Sequence, residues 1–331
     1  MEGEGKRART MNIGNNPKGY EASRQIYRVL VMHFLEGRKQ SDIAAQLDLS
    51  TAKVNRLIKQ GRNLGMVEIN VKSPFQPLIK VEAELKRIGQ MKEAIVTPMV
   101  SENPEIVLRS VGDAAAKLLL ENIKDGDTIC ITGGKGVSAV VEALKPDRTY
   151  DVEVVPTTGC VQGKHYTDVN HVATLMAEKL GGRAYQIHAP LFAESVEQKN
   201  MLMGISSVQE ILERARKATI AVVGVGSILS ADSSYYDLHP TAKGDQQGIQ
   251  KSGAIGELLA HLLDENGDLC EYELNSRLVA LSPDDLARIP LTVGVSSGEN
   301  KVAPICAMLR GRRLNALVVD ETTANDVLND F

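Results

Sequence analysis

The chain has 331 residues, more than one ordinary domain, which suggests two domains of unequal size. Apolar residues at 43% are enough for a sizeable core and exclude disorder, while 24% charged residues and the lack of any apolar run near ~18 residues exclude a membrane span. The net charge of −4 hides an asymmetry: through Lys72 there are 13 Lys and Arg against 7 Asp and Glu, and the rest is acidic, so only the N-terminal segment suits an anionic polymer.

Met1 to Gly19 is polar, carries Lys6, Arg7 and Arg9, lacks the apolar segment of a secretory signal and is expected to be a flexible tail. From Ala22 to Glu36 apolar residues recur at helical spacing until Gly37 stops the helix. Ser41 to Leu47 reads as a short amphipathic helix and Asp48-Leu49 as a tight turn. Ser50 reads as the N-cap of a third helix running to about Asn63, and Gly65 ends that unit. Met66 to Val71 alternates as a short strand. Helix, helix, turn, helix, strand is the order of a winged helix-turn-helix, placed at residues 20–72.

On the third helix Val54, Leu57 and Ile58 form the buried stripe, which turns Thr51, Lys53, Asn55, Arg56 and Lys59 to solvent. Lys and Arg neutralise phosphates or donate to guanine, and Asn can pair bidentately with adenine. Gln40 and Ser41, at the start of the second helix, and Ser50 complete the expected contact set for double-stranded DNA.

Ser73-Pro74-Phe75-Gln76-Pro77 breaks regular structure. Leu78, Val81, Leu85 and Ile88 then follow at heptad-like spacing, so residues 73–90 read as a linker helix that either packs on its own domain or dimerises. Beyond it, in 91–331, apolar strands alternate with amphipathic helices. The strands are Ala94–Val96, Thr128–Thr132, Val152–Pro156, Ala184–His188, Thr219–Val225, Leu291–Val295 and Leu314–Val319. The helices are Pro104–Ile123, Val137–Leu144, Val169–Leu180, Val208–Lys217, Ile255–Leu263 and Lys301–Leu309. Such alternation predicts a doubly wound α/β domain with a parallel sheet, and ligands at the carboxyl ends of its strands. Cys130, Cys160, Cys270 and Cys306 form no C-x-x-C, and the six histidines do not cluster at metal-ligand spacing. A reduced cytoplasmic setting without metal or cofactor is expected.

Several segments of this domain suit a small polar ligand. Thr132-Gly133-Gly134-Lys135-Gly136-Val137-Ser138 joins a strand to a helix, so its small residues let N–H groups approach an anionic or hydroxylated ligand, and Lys135 adds a charge. Thr158 and Gly159, with Asp168 and Asn170 further on, offer groups that pair with hydroxyls. Gly224 and Gly226 stand where a pocket floor would close, Glu257 at an expected helix start can accept from hydroxyls, and Lys301 can pair with phosphate. Tyr235 and Tyr236 read as a lid over the pocket or as loop packing, the lid being favoured.

The run from Ser41 to Lys59, closed by Gly65-Met66-Val67-Glu68-Ile69, resembles the reading head of SorC-family (DeoR/SorC-type) sugar-responsive transcriptional regulators. The glycine-bearing segments and the ending Leu309-Arg310-Gly311 to Asn315-Ala316-Leu317-Val318-Val319-Asp320-Glu321 resemble the effector domain of the same family. The resemblance runs from about Ala22 onward. It implies a fold similar to sugar-phosphate isomerases and glucosamine-phosphate deaminases, used without catalysis to sense a sugar, polyol or sugar phosphate in a homotetramer that grips operator DNA. It also adds Asp320 to the effector set. Members of that family often carry Trp where Gly133 stands, Thr where Gly136 stands, Asp where Glu257 stands and Gly-Gly where Ser297-Gly298 stands, so the resemblance implies a roomier pocket and an unusual effector, a small polyol or its phosphate. The alternative is a sugar-phosphate isomerase or deaminase fused to a DNA-binding head, with Asp168, Glu257, Asp320 and His171 as candidate acid–base groups.

Overall fold

A computed structural model of the protein describes residues 17–67, 78–161, 168–230 and 233–331. The chain divides into two compact units between Pro74 and Phe75. Among the described residues no helix is long and apolar enough to cross a membrane.

The smaller unit is helical. α1 (Pro17–Leu30) runs into a π-helical turn over Val31–Leu35, α2 spans Gln40–Leu47 and α3 spans Thr51–Asn63. The helix expected from Ala22 thus begins at Pro17, inside the stretch expected to be a tail. Gly37, at φ +67°, and Asp48, at φ 51°, take the left-handed conformation that ends a helix. Ile26, Val29, Leu30, Ile43, Val54, Leu57 and Ile58 share one core. Gly61 keeps α3 close to α1, since a Cβ there would lie 2.6 Å from Leu30 Cδ1. Met66 and Val67 are not in a strand, and the rest of the expected strand, like the break at Ser73–Pro77, lies outside the described residues.

The larger unit opens with α4 (Ile79–Gly89), β1 (Glu93–Thr97), α5 (Pro104–Asn122), β2 (Thr128–Ile131), α6 (Lys135–Ala143), β3 (Glu153–Pro156), α7 (Val169–Leu180) and β4 (Arg183–Ala184). α8 (Val196–Gly204), α9 (Ser206–Arg216), β5 (Ile220–Gly224), β6 (Gly226–Ser227), α10 (Pro240–Gly244), α11 (Gln246–Lys251), β7 (Gly256–Leu258) and β8 (His261–Leu263) follow. α12 (Glu273–Ser276), α13 (Pro283–Ala287), β9 (Leu291–Val295), α14 (Val302–Arg310), β10 (Ala316–Asp320) and α15 (Glu321–Asp330) complete it. Seven strands form one parallel sheet in the order β1-β10-β9-β5-β2-β3-β4. Every residue of β10 is buried, as a strand covered on both faces requires. From β2 the chain winds one way to β3 and β4, then the other way to β5, β9 and β10, so the topological switch lies between β2 and β5.

This architecture decides one open alternative and departs from two expectations. Leu85 is fully buried, and Leu78, Val81 and Ile88 pack on the main core, so the heptad-like stripe of α4 serves its own unit. The strand expected over Ala184–His188 stops at Ala184 because the Asn170 side chain takes over at Ile187. Its amide nitrogen donates to the Ile187 carbonyl at 2.9 Å, and its oxygen accepts the Ile187 N–H at 2.9 Å. The helix expected over Ile255–Leu263 is a β-hairpin. Leu259 (φ 55°) and Ala260 (φ 63°) form its turn, β7 pairs antiparallel with β8, and β6 pairs with β7 in a three-stranded sheet. A short apolar run buried on both faces has no period that separates strand from helix.

Candidate functional site

In the smaller unit, Ser50 Oγ accepts the Lys53 N–H at 3.1 Å and caps α3, satisfying one of the donors that a helix start leaves open. With Val54, Leu57 and Ile58 buried, Thr51, Asn55, Arg56 and Lys59 are exposed and Lys53 is half-buried. Ser41 is exposed beside half-buried Gln40 on the first turn of α2. The expected contact residues therefore lie on the exposed side of α3 and at the starts of α2 and α3, offering hydroxyl, amide and cationic groups.

In the larger unit, a cavity of 1110 Å³ opens at the switch between β2 and β5. That is the crevice where open parallel sheets bind ligands. Thr132, Gly133, Gly134, Lys135, Gly136 and Ser138 line it from the β2–α6 turn, Thr158 and Gly159 from the end of β3, Gly224 and Gly226 from β5 and β6, Glu257 from β7 and Lys301 from the turn before α14. Gly134, the N-cap of α6, has φ +125° and open space beyond it, and its lack of a side chain leaves the helix start uncapped. First-turn N–H groups have no partner within a helix, and the helix dipole favours an anion there. Gly136 permits close approach of β9, since a Cβ there would lie 3.0 Å from the Val295 carbonyl oxygen. Thr132 Oγ1 accepts the Gly224 N–H at 3.3 Å, joining the ends of β2 and β5.

Glu257 folds back over Gly226, where a Cβ would lie 1.9 Å from Glu257 Oε1. Its Oε2 accepts the Ala260 N–H at 2.8 Å inside the hairpin. The residue keeps some accessible surface toward the cavity, yet the surrounding protein displaces water. Burial raises its carboxyl pKa above the ordinary value, against the opposing pull of the Ala260 N–H and the Lys301 charge. Burial likewise lowers the Lys301 pKa; Glu257 opposes that shift and Lys135 adds to it. At its inner end the site combines the mutually repelling Lys135 and Lys301, the Glu257 carboxylate and a helix start, which suits a hydroxylated ligand carrying negative charge.

Three residues expected in the effector set lie outside the cavity lining. Asp168 caps α7 by accepting the Asn170 N–H at 3.0 Å, Asn170 clamps Ile187, and Asp320 caps α15 by accepting the Thr323 N–H at 3.0 Å. Asx residues before a helix serve this local role more readily than a distant one. Tyr235 and Tyr236 are buried in a satellite core with Leu191, Ile228 and Leu274, so loop packing replaces the favoured lid, while neighbouring Ser233, Ser234 and Asp237 line the cavity. Sequence reasoning missed Glu105, Arg109 and Asp113 of α5. Their four-residue spacing shows one polar helix face, but only the fold brings that face to the cavity mouth. There α5 lies against α6 so closely that a Cβ on Gly112 would sit 2.8 Å from the Ala139 backbone. Ser296, Ser297 and Asn300 also line the cavity. Among the described residues no cluster of His, Cys, Asp and Glu can hold a metal ion.

A helix-turn-helix unit and an α/β unit with a polar cavity at its switch point define a ligand-responsive DNA-binding regulator. The family profile described as "Putative sugar-binding domain" matches residues 73–329. The transcriptional regulator LsrR of Enterobacter sp. (strain 638) is 29% identical over 306 residues, covering 92% of this chain and 92% of that protein. The erythritol catabolism regulatory protein EryD of Brucella abortus is 28% identical over 305 residues, covering 91% of this chain and 95% of that protein. The full-length sorbitol operon regulator SorC from Klebsiella pneumoniae superposes with a TM-score of 0.70 at 23% identity over 93% of this chain and 99% of that one, which shows a shared fold. The chain belongs to the sugar-binding-domain family and is a transcriptional regulator rather than an enzyme.

Proposed function

We propose that the protein controls a carbohydrate or polyol catabolic operon by gripping operator DNA through α3 and changing that grip when a small polyol or its phosphate fills the cavity. Lys53, Arg56 and Lys59 contact phosphates or guanine, Asn55 reads a base edge, and Gln40, Ser41, Ser50 and Thr51 anchor the backbone. In the cavity Thr132 to Gly136, Ser138, Thr158 and Gly159 meet hydroxyl groups, with Gly224 and Gly226 as the floor. Glu257 accepts from a hydroxyl, and Lys135 with Lys301 pairs an anionic end. The observation that carries this reading is the uncapped start of α6 facing the same cavity as Glu257 and Lys301. The working form is a homotetramer in the cytoplasm, where linked heads bind linked half-sites with avidity. Coupling requires that the effector bind two arrangements of the protein with different affinity.

Isothermal calorimetry with four- to six-carbon polyols, the matching sugars and their monophosphates tests the cavity reading. One polyol or its monophosphate should bind, and Lys301→Ala should weaken a phosphorylated ligand about tenfold or more, as loss of a charged hydrogen bond implies. Binding of hexose bisphosphates alone would sink the proposed effector class.

A further inference from the structure

We propose that Asp320 is the positioning residue of the effector site: without lining the cavity, it fixes the Ser296–Lys301 loop that does. This rests on the reading of the cavity as the effector site. Asp320 ends β10 and is buried, and its two oxygens divide their work. Oδ1 accepts the Thr323 N–H at 3.0 Å and starts α15; Oδ2 accepts the Thr323 hydroxyl at 2.7 Å and the Gly298 N–H at 3.1 Å. Thr323, itself buried, lends its Oγ1 to the same Gly298 N–H at 2.9 Å. One loop amide is thus held by two oxygens from the start of one helix.

Gly298 is the point at which such a tether matters most. Its φ of +103° is open to glycine and strained for other residues, so the chain there has the greatest freedom to lose. On either side stand Ser296, Ser297, Asn300 and Lys301, all lining the cavity. Ser296 is 3% exposed and its buried Oγ has no hydrogen-bond partner among the described residues, a state that buried hydroxyls avoid unless a ligand or water completes them. The tether therefore holds a buried hydroxyl and a lysine at fixed distance from the start of α6. Its anchor is firm, because α15 packs on α4, α14 and the turn that carries Lys301.

The test uses the full-length protein. Asp320→Asn leaves one acceptor oxygen where there were two, so the cap of α15 can persist while the Gly298 N–H meets an amide that donates. Backbone hydrogen exchange should rise about tenfold or more at 296–301 in D320N and stay unchanged at 131–139, the scale expected for loss of a charged hydrogen bond. T323V should loosen the same loop, and T323S, which keeps the hydroxyl, should not. Inorganic phosphate, used as the probe, should bind D320N about tenfold more weakly than the wild type. Unchanged exchange at 296–301, exchange raised equally at 131–139, or equal phosphate affinity despite a loosened loop would each overturn the proposal. A wild type that does not bind phosphate would instead count against the anionic reading of the cavity, and the exchange comparison alone would still decide the tether.

Discussion

Gly226→Ala probes the cavity most sharply, because the three atoms nearest to the new methyl all belong to Glu257: Oε1 at 1.9 Å, Cδ at 2.4 Å and Cγ at 2.5 Å. Ordinary contact begins near 3.4 Å, so the carboxylate must move by about 1.5 Å. That movement breaks its 2.8 Å bond to the Ala260 N–H. A hydrogen bond to a charged group contributes about 1.5–3 kcal/mol, and the freed carboxylate recovers part of this in water, which leaves a loss near the lower figure. For a unit of this size each kcal/mol shifts the melting temperature by about 2–4 °C, so thermal unfolding should fall by about 3 to 6 °C. In a Glu257→Ala background the same glycine substitution should be close to neutral, since its clash partner is gone. An equal loss in both backgrounds would refute the reasoning, because it would place the conflict in the backbone rather than in the carboxylate.

Four further outcomes follow from the same geometry. Burial holds the Glu257 carboxyl above its ordinary 4.5, so the stability it contributes is present below that pH and is lost as pH rises through the elevated value. Denaturant titrations across that window should show E257Q without this fall, and identical profiles would contradict the assignment. Ser50→Ala should cost about 1 kcal/mol in unfolding of the helical unit, since it removes the cap of α3; no change would remove the cap from the account. Asn170→Ala should lower stability by about 2–4 kcal/mol, by stranding both backbone groups of Ile187, while leaving effector affinity within twofold, and calorimetry showing the reverse would return Asn170 to the ligand site. Arg56→Ala should weaken binding evenly across DNA sequences and flatten the salt dependence by about one counterion, whereas Asn55→Ala should relax base preference; competition binding at several salt concentrations distinguishes the two.

Within the helical head α2 and α3 were legible almost to the residue because their signals are local: the Ser50 cap, the left-handed Asp48 and the Val54–Leu57–Ile58 stripe each act within one or two turns. The parallel strands were legible for a related reason, since β1, β9 and β10 are short buried apolar runs bounded by turns. Legibility failed where a distant partner decides the conformation. Gly256–Leu258 becomes a strand by pairing with Gly226 and Ser227, and the strand after Arg183 is cut short by an amide contributed from α7. The place of the candidate cavity was legible in the glycine turns at strand ends, which the rule for parallel sheets locates. Glu105, Arg109 and Asp113 were hidden, because only the close approach of α5 to α6 brings that face to the mouth. Asp168 and Asp320 carry acceptor chemistry fit for a ligand but use it on helix starts, a distinction that residue type does not encode.

The most direct test of the central claim is fluorescence anisotropy with DNA from immediately upstream of the protein's own gene, at fixed salt, with and without polyols, sugars and their phosphates. Constant salt excludes counterion release as a false effector response. The account predicts specific binding that one polyol or polyol phosphate changes, with the change lost in Lys301→Ala while DNA binding in the absence of effector persists. Binding no tighter than to unrelated DNA, together with turnover of a sugar phosphate, would contradict it.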